Sequence, residues 1–215
     1  MRAGKLVGWI ALVGSLAALN YASRFTSGKP PRDELYRYSS AVGALLLYAI
    51  VLALLLWIAR GMSRQELGVR EPVSWSRALG LALVLLIAVI AVEAALEPIF
   101  HASREQGLEP PSWEPDRAVP FALNAAVVVL VAPFVEELTF RGVGFALLEP
   151  YGPLIAIAGT AAAFAAAHGL VAGFFPLFVF GSAIAFLRFR TESIFPGMLL
   201  HACYNAAALA IVFAS

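Results

Sequence analysis

The sequence predicts an all-α membrane protein, a polytopic bundle of about seven transmembrane helices that enclose a polar cavity. Of its 215 residues, 61% are hydrophobic and 13% are charged, and the mean hydropathy is +0.83. These values lie well outside the range of soluble domains. Apolar runs long enough to cross a bilayer recur along the chain. Ionisable side chains interrupt the later runs, which indicates a polar interior.

The first part of the chain, residues 1–117, contains three predicted spans. Arg2 and Lys5 precede an apolar run over 6–22 that looks superficially like a signal peptide. The cleavage signature is weak and six apolar runs follow, so we interpret this run as an uncleaved first span. The second and third spans are predicted at 38–59 and 78–99, each long enough to cross a bilayer.

The loops predict the orientation of the chain. The loop 60–77 carries four arginines and has Trp75 as an interfacial anchor, so we assign it to the cytoplasm. Lysines and arginines number eight on the side of the amino terminus and six on the other side (Arg2, Lys5, Arg60, Arg64, Arg70, Arg77, Arg188 and Arg190 against Arg24, Lys29, Arg32, Arg37, Arg104 and Arg117). The positive-inside rule therefore favours a multi-pass protein of the inner (plasma) membrane with a cytoplasmic amino terminus.

The acidic residues around the third span have no assigned role. Glu93 and Glu97 share one face at its far end, where they either meet the interface or line a polar entry. The following loop, 101–117, is rich in proline and acidic residues and is too short for a domain. We therefore expect one membrane-embedded domain over 1–215.

The second part, residues 118–213, contains four further spans and is the predicted catalytic core. The fourth span, 118–148, is too long to cross without tilt, and Pro133 should kink it because proline donates no backbone hydrogen bond. The fifth, 154–168, is built from small residues that allow close helix packing. The sixth and seventh are predicted at 174–187 and 194–213.

Three ionisable residues stand in the apolar fourth span. Glu137 and Arg141 are four residues apart, so they lie on one helical face and can neutralise each other. Glu136 points about 100° away from Glu137 and has no partner at helical spacing. A carboxylate at mid-membrane depth is costly, which makes Glu136 a candidate functional residue.

Two later spans add imidazole and amide groups. His168 closes the fifth span, and His201 and Asn205 share one face of the seventh. Counted from one membrane face, Glu136, His168 and His201 lie at roughly 18, 22 and 12 Å, close to a common level. A simple structural explanation is mutual hydrogen bonding between helices.

The same set also supports hydrolysis of an acyl bond. Glu136 can act as general base on water with His168 beside it, and His201 and Asn205 can donate to an oxyanion. Alternatively, Glu136, His168 and His201 can be the ligands of a divalent metal such as zinc. We favour the metal-independent version because asparagine is an unusual companion in a zinc site. Thr139 and Cys203 lack an evident base, so a covalent nucleophile is less well supported.

These residues resemble the three motifs of the CPBP family (Abi, or CAAX-protease and bacteriocin-processing), intramembrane endopeptidases that include the prenyl-protein CAAX endopeptidase. The motifs are Glu136-Glu137-x-x-x-Arg141, Phe164-x-x-x-His168 and His201-x-x-x-Asn205. The resemblance implies a conical cavity that opens to the membrane and to one aqueous face. It also implies that Glu136 and His168 activate water, that His201 and Asn205 stabilise the oxyanion, and that Glu137 and Arg141 support the site.

The resemblance further implies a membrane-anchored or lipidated protein or peptide as substrate, within the lipid bilayer. Prenylated CAAX proteins are one such class, and bacterial relatives are linked to bacteriocin self-immunity, peptide maturation and removal of sorting anchors. Two other functions stay open, a proton-coupled transporter and an inactive scaffold of the same fold. The net charge of +1 argues against a nucleic-acid partner.

Overall fold

The apolar runs form helices because a membrane offers no partner for backbone N–H and C=O groups other than the helix itself. The computed structural model describes residues 2–27, 31, 33–102, 105 and 113–211. Over these residues the chain has seven helices and no strand, which confirms the predicted fold class. They are α1 (Arg2–Ser27), α2 (Tyr38–Ile58), α3 (Trp75–Phe100), α4 (Pro115–Tyr151), α5 (Pro153–Ala167), α6 (Phe174–Thr191) and α7 (Phe195–Ile211).

The helices differ in whether they are long enough to cross a membrane. Five of the described helices, α1 to α4 and α6, have the length and composition of a membrane span. Helix α5 has 15 residues, which correspond to roughly 22 Å and fall short of a hydrocarbon layer about 30 Å thick. One end of α5 therefore lies within the depth of the bundle, next to His168.

Helix α4 is continuous over 37 residues but changes its backbone geometry twice. It is π-helical over Val127–Val131 and again over Leu138–Gly144. Pro133 stands just after the first π-helical segment, where the wider turn accommodates a residue that donates no hydrogen bond. The helix thus passes the predicted kink position without ending. The second segment is buried over its whole length and contains Arg141.

Small residues bring α5 and α6 into close contact, as their composition predicts. Ala156, Ala161 and Ala165 of α5 are fully buried. A β-carbon added to Gly181 of α6 would lie 3.2 Å from the Cα atom of Ala161. Large apolar side chains on the outer faces of α1, α2 and α3 are exposed instead, as expected for a surface that faces lipid.

Polar contacts join the loops at each end of the bundle. At one end, Ser193 donates to the carbonyl of Arg70 at 2.5 Å, and Glu192 pairs with Arg70. At the other end, Arg117 pairs with Asp33 at 3.0 Å. The loop 60–77 and the turn between α6 and α7 therefore lie on one side of the bundle, as the predicted topology requires.

Some predicted features lie outside the described residues. They are most of the acidic loop between 101 and 117, part of the first loop, and the predicted end of the last span (including Lys29, Pro30, Arg32, Arg104, Glu109, Pro110, Pro111 and Phe213).

Candidate active site

Helix α4 places its two adjacent glutamates in different surroundings, because successive helical side chains point about 100° apart. The Glu136 side chain is 17% exposed and faces a cavity. The Glu137 side chain is completely buried within the protein. The two carboxylates can therefore serve different purposes although they are neighbours in sequence.

The cavity beside Glu136, which we call the central cavity, lies among α1, α2, α4 and α5 and has a volume of about 240 Å³. Its walls are mostly apolar, and its polar side chains are Asn20, Tyr48, Glu136, Thr139 and His168. Asn20 of α1 and Leu47 of α2 both line the cavity and are exposed. The cavity therefore reaches the outer surface where these two helices face each other.

Each carboxylate oxygen of Glu136 has a neighbour from another helix. The hydroxyl of Tyr48, on α2, donates a hydrogen bond of 2.6 Å to Oε1. Oε2 lies 3.8 Å from Nε2 of His201, on α7. The first distance is that of a short charge-assisted hydrogen bond, and the second is longer than a direct hydrogen bond. Among the described residues, the orientation of the carboxylate is thus fixed through Oε1.

His168 faces the same cavity from the end of α5. Its Nδ1 lies 2.8 Å from the carbonyl oxygen of Phe164, and its ring packs on the Phe164 ring with the centroids 4.5 Å apart. A carbonyl only accepts hydrogen bonds, so Nδ1 carries the proton of the neutral ring. This tautomer leaves Nε2 as an acceptor, which is what a proton-accepting histidine requires.

The turn that follows His168 is held from two directions. Asn20 of α1 donates a hydrogen bond of 2.6 Å to the carbonyl of Ala167, the last residue of α5, and Tyr21 donates one of 3.1 Å to the carbonyl of Leu170 in the turn. Glu105 accepts hydrogen bonds of 2.9 and 2.7 Å from the backbone N–H groups of Val171 and Gly173 in the turn, and it pairs with Arg24. These contacts fix the end of α5, and with it the imidazole of His168.

Glu137 and Arg141 form the pair that their spacing predicts. Nη1 of Arg141 donates to Oε1 of Glu137 at 3.0 Å, and both side chains are fully buried. Nη2 donates to the carbonyl of Gly181 at 2.8 Å, and the guanidinium lies over the Phe164 ring at 4.6 Å from its centroid. Arg141 thereby connects α4 with α5 and α6. A buried charge of this kind needs such partners.

His201 joins the same cluster from α7. Its Nδ1 lies 3.0 Å from Oε1 of Glu137, and its ring packs edge-on against Phe164 and Phe180. A carboxylate only accepts, so His201 carries a proton at Nδ1 and turns Nε2 toward Glu136. The spacing of the sequence gives no sign of this contact between Glu137 and His201.

Asn205 lies one turn further along α7 and contacts α4. Its Nδ2 donates to the carbonyl of Val128 at 2.8 Å, within the first π-helical segment. An amide nitrogen carries two hydrogens, so one remains for another acceptor. On the neighbouring face of α7, the hydroxyl of Tyr204 donates to Glu93 at 2.6 Å. Glu93 is thus tied to the bundle and does not line the central cavity.

Comparison with known proteins identifies the part of the chain that holds this site. A protein-family model described as type II CAAX prenyl endopeptidase Rce1-like matches residues 118–207. Residues 118–207 are thus similar to the CAAX protease family. This is a family of membrane-embedded proteases, so the resemblance seen in the three motifs is confirmed. No curated protein and no solved structure matches the chain.

The three residues considered as metal ligands do not form a compact set in this structure. Among the residues that the structure describes, no group of three or more His, Cys, Asp or Glu side chains is placed to hold a metal ion. Nε2 of His201 lies 3.8 Å from Oε2 of Glu136, and its Nδ1 is held by Glu137. Glu136, His168 and His201 thus do not converge as a metal-binding group in the described structure.

Sequence reasoning missed the residues that support the CAAX protease motifs from outside them. Tyr48 and Asn20 precede the matched segment yet line the central cavity. Glu105 belongs to the acidic loop, for which the sequence predicts no role, and it holds the turn after His168. A signal for Tyr48 existed, because every other residue between Ala41 and Leu56 is aliphatic or glycine.

Proposed function

We propose that this protein is an intramembrane endopeptidase that hydrolyses a peptide bond near the membrane-embedded or lipidated end of a substrate protein. The observation that supports this best is that Glu136 and His168 face one mostly apolar cavity from two helices. Such a cavity accommodates an apolar segment and excludes bulk water, and its polar groups can activate one bound water molecule.

In the proposed reaction, Glu136 is the general base. It takes a proton from water held between its carboxylate and Nε2 of His168, and the resulting hydroxide attacks the carbonyl carbon of the scissile bond. The carbonyl π electrons move to oxygen and create an oxyanion. When the tetrahedral intermediate collapses, the C–N bond breaks and the leaving nitrogen receives the proton from Glu136. The products are a carboxylic acid and an amine.

His201 and Asn205 are the proposed donors to the oxyanion. The ring of His201 carries one proton at Nδ1, which is bonded to Glu137, and its Nε2 faces Glu136. Nε2 can donate to the oxyanion when it carries a second proton. Asn205 keeps one amide hydrogen beyond its bond to Val128. Two donors on one face of α7 suit a single oxygen atom.

Glu137 and Arg141 are proposed to support the site without touching the substrate. Glu137 sets the orientation of His201, and Arg141 neutralises Glu137 while it binds the carbonyl of Gly181. A charged group with this many fixed partners keeps neighbouring helices in register. The two residues therefore hold α4, α6 and α7 in the geometry that the reaction needs.

We propose prenylated or membrane-anchored proteins and peptides as the substrate class. The family to which residues 118–207 are similar is described as prenyl endopeptidases. Leu16, Leu47 and Val51 line the central cavity, and its opening at Asn20 and Leu47 lies on the surface between two long apolar helices. A lipid chain or an apolar helix end can reach such an opening directly from the bilayer.

The test uses the full-length protein in detergent and three fluorogenic peptides. One is a farnesylated peptide ending in a CAAX sequence, the second is its unprenylated counterpart, and the third is the apolar end of a transmembrane helix with a short polar tail. We expect cleavage of the first or the third, with the products identified by mass spectrometry. Glu136→Gln should abolish cleavage, and Glu149→Gln, at the exposed end of the same helix, should not. Equal cleavage by wild type and Glu136→Gln would overturn the catalytic assignment.

A further inference from the structure

We infer that Tyr48 is a positioning residue for Glu136 and that helix α2 is therefore part of the catalytic apparatus. This inference depends on the proposed function, because it assigns Glu136 the role of base. Tyr48 lies outside the segment 118–207 that matches the protease family. It donates to Oε1 of Glu136 at 2.6 Å across 88 positions of sequence.

The surroundings of Tyr48 show that its hydroxyl is directed inward. Most of α2 is apolar and exposed, as for Leu45, Leu46 and Ile50. Tyr48 is partly buried instead and lines the central cavity together with Glu136 and His168. A phenol in an otherwise aliphatic span is costly unless its hydroxyl is bonded, and here the carboxylate of Glu136 provides the acceptor.

The hydrogen bond from Tyr48 gives the two carboxylate oxygens of Glu136 different roles. Oε1 accepts from Tyr48, and Oε2 lies 3.8 Å from Nε2 of His201 and stays available to a proton from water. Tyr48 thus fixes the rotamer of Glu136 through one oxygen and leaves the other for the reaction.

Other polar groups also lie near Glu136. His168 faces it across the cavity from α5, His201 approaches it from α7, and Glu137 and Arg141 lie beside it on α4. Tyr48 is the group that α2 contributes. Removing its hydroxyl leaves the other four in place, so the effect of this one donor can be measured separately.

The test is Tyr48→Phe, which keeps the ring in the cavity wall and removes the hydroxyl. With the farnesylated fluorogenic peptide, or the transmembrane-end peptide if that is the one cleaved, kcat should fall roughly ten- to hundredfold, as expected for loss of a hydrogen bond to a charged group. KM should stay within about twofold, since the apolar wall is unchanged.

Tyr38→Phe is the matched control, since Tyr38 begins the same helix and is 56% exposed. It should leave kcat and KM unchanged. Wild-type kcat in Tyr48→Phe would overturn the inference, and so would a loss of activity that a lower unfolding temperature accounts for. If Glu136→Gln is inactive while Tyr48→Phe behaves as wild type, the inference fails and the proposed function stands. If Glu136→Gln is fully active, the proposed function itself fails, and the inference that depends on it fails as well.

Discussion

Nδ1 of His201 donates a hydrogen bond of 3.0 Å to Oε1 of Glu137, a residue 64 positions earlier in the chain. The same oxygen accepts from Arg141 at 3.0 Å, so one buried carboxylate oxygen connects a histidine and an arginine. Glu137 is therefore held by one donor from its own helix α4, Arg141, and by one donor from α7, His201. Its neighbour Glu136 is left to face the cavity, and the two glutamates should respond very differently to substitution.

Arg141→Ala should lower stability as well as activity. The substitution leaves Glu137 fully buried beside a neutral side chain, and breaking one side of a buried ion pair costs about 3–5 kcal/mol in soluble proteins. Thermal unfolding in detergent measures the loss. Arg190→Ala, at an exposed position near the end of α6, is the control and should change stability by no more than about 0.5 kcal/mol. Glu136→Gln should retain the wild-type unfolding temperature, and the opposite ranking would exchange the roles given to the two glutamates.

Gly181→Ala should destabilise the protein through crowding. The added β-carbon would lie 3.2 Å from both Nη2 of Arg141 and Cα of Ala161, so α6 would have to move away from α5. Overpacking of this kind costs about 1–3 kcal/mol. Gly43→Ala in α2 meets no atom within 4 Å and should instead stabilise by about 0.5–1 kcal/mol, the usual gain from replacing glycine in a helix. Unfolding measurements that show the same sign for both variants would contradict the packing described.

Asn205→Ala should lower kcat by about a hundredfold or more if the amide donates to the oxyanion. The loss of its bond to Val128 should affect stability by only about 0.6 kcal/mol, the average for hydrogen bonds between membrane helices. Steady-state kinetics and thermal unfolding of the same preparation separate the two effects. Cys203→Ala, an exposed position on the same helix, serves as the control. A destabilised variant with normal kcat would show that Asn205 only joins α7 to α4.

Asp33 should make stability depend on pH at one end of the bundle. The hydrogen bond from Arg37, and then that from Arg117, holds the pKa of the Asp33 carboxyl below its ordinary value of 3.8. A carboxyl with a lowered folded-state pKa stabilises the protein above its unfolded-state pKa, and this contribution disappears as the pH falls through the folded-state pKa. Asp33→Asn should therefore be less stable than wild type at neutral pH. The difference in unfolding temperature should shrink as the pH falls below 3.8 and vanish once the pH is below the folded-state pKa, and a gap that stays constant at all pH values would refute the linkage.

Metal removal should leave activity unchanged. The proposed reaction needs no metal, because Glu136 and His168 activate the water and His201 donates to the oxyanion. Among the described residues, no group of three or more His, Cys, Asp or Glu side chains is placed to hold a metal ion. Chelator-treated protein should cleave the fluorogenic peptide at the untreated rate, and elemental analysis should find no stoichiometric zinc. One tightly held zinc per chain, lost together with activity in His201→Ala, would overturn this expectation.

The sequence alone determined the class of the fold and the helices that carry the motifs. Hydrophobic length and proline or glycine boundaries are local properties, so the seven helices fall close to their predicted positions. The pairing of Glu137 with Arg141 also followed from the sequence, because a spacing of four is a local property of a helix. The three motifs also indicated the protease family from the sequence, because each consists of residue types at a fixed spacing within one helix and the motifs follow one another in a fixed order.

Only the tertiary structure decided which of these groups meet. The contact of His201 with Glu137, the bond from Tyr48 to Glu136 and the capping of the turn after His168 by Glu105 join residues 64, 88 and 66 to 68 positions apart. Helical periodicity places a residue on a face of its own helix and does not specify which helix packs against that face. That choice depends on the side-chain packing of the whole bundle, where small residues such as Ala161 and Gly181 allow close approach. The chemistry of the site was therefore visible in the residue types, and its geometry was not.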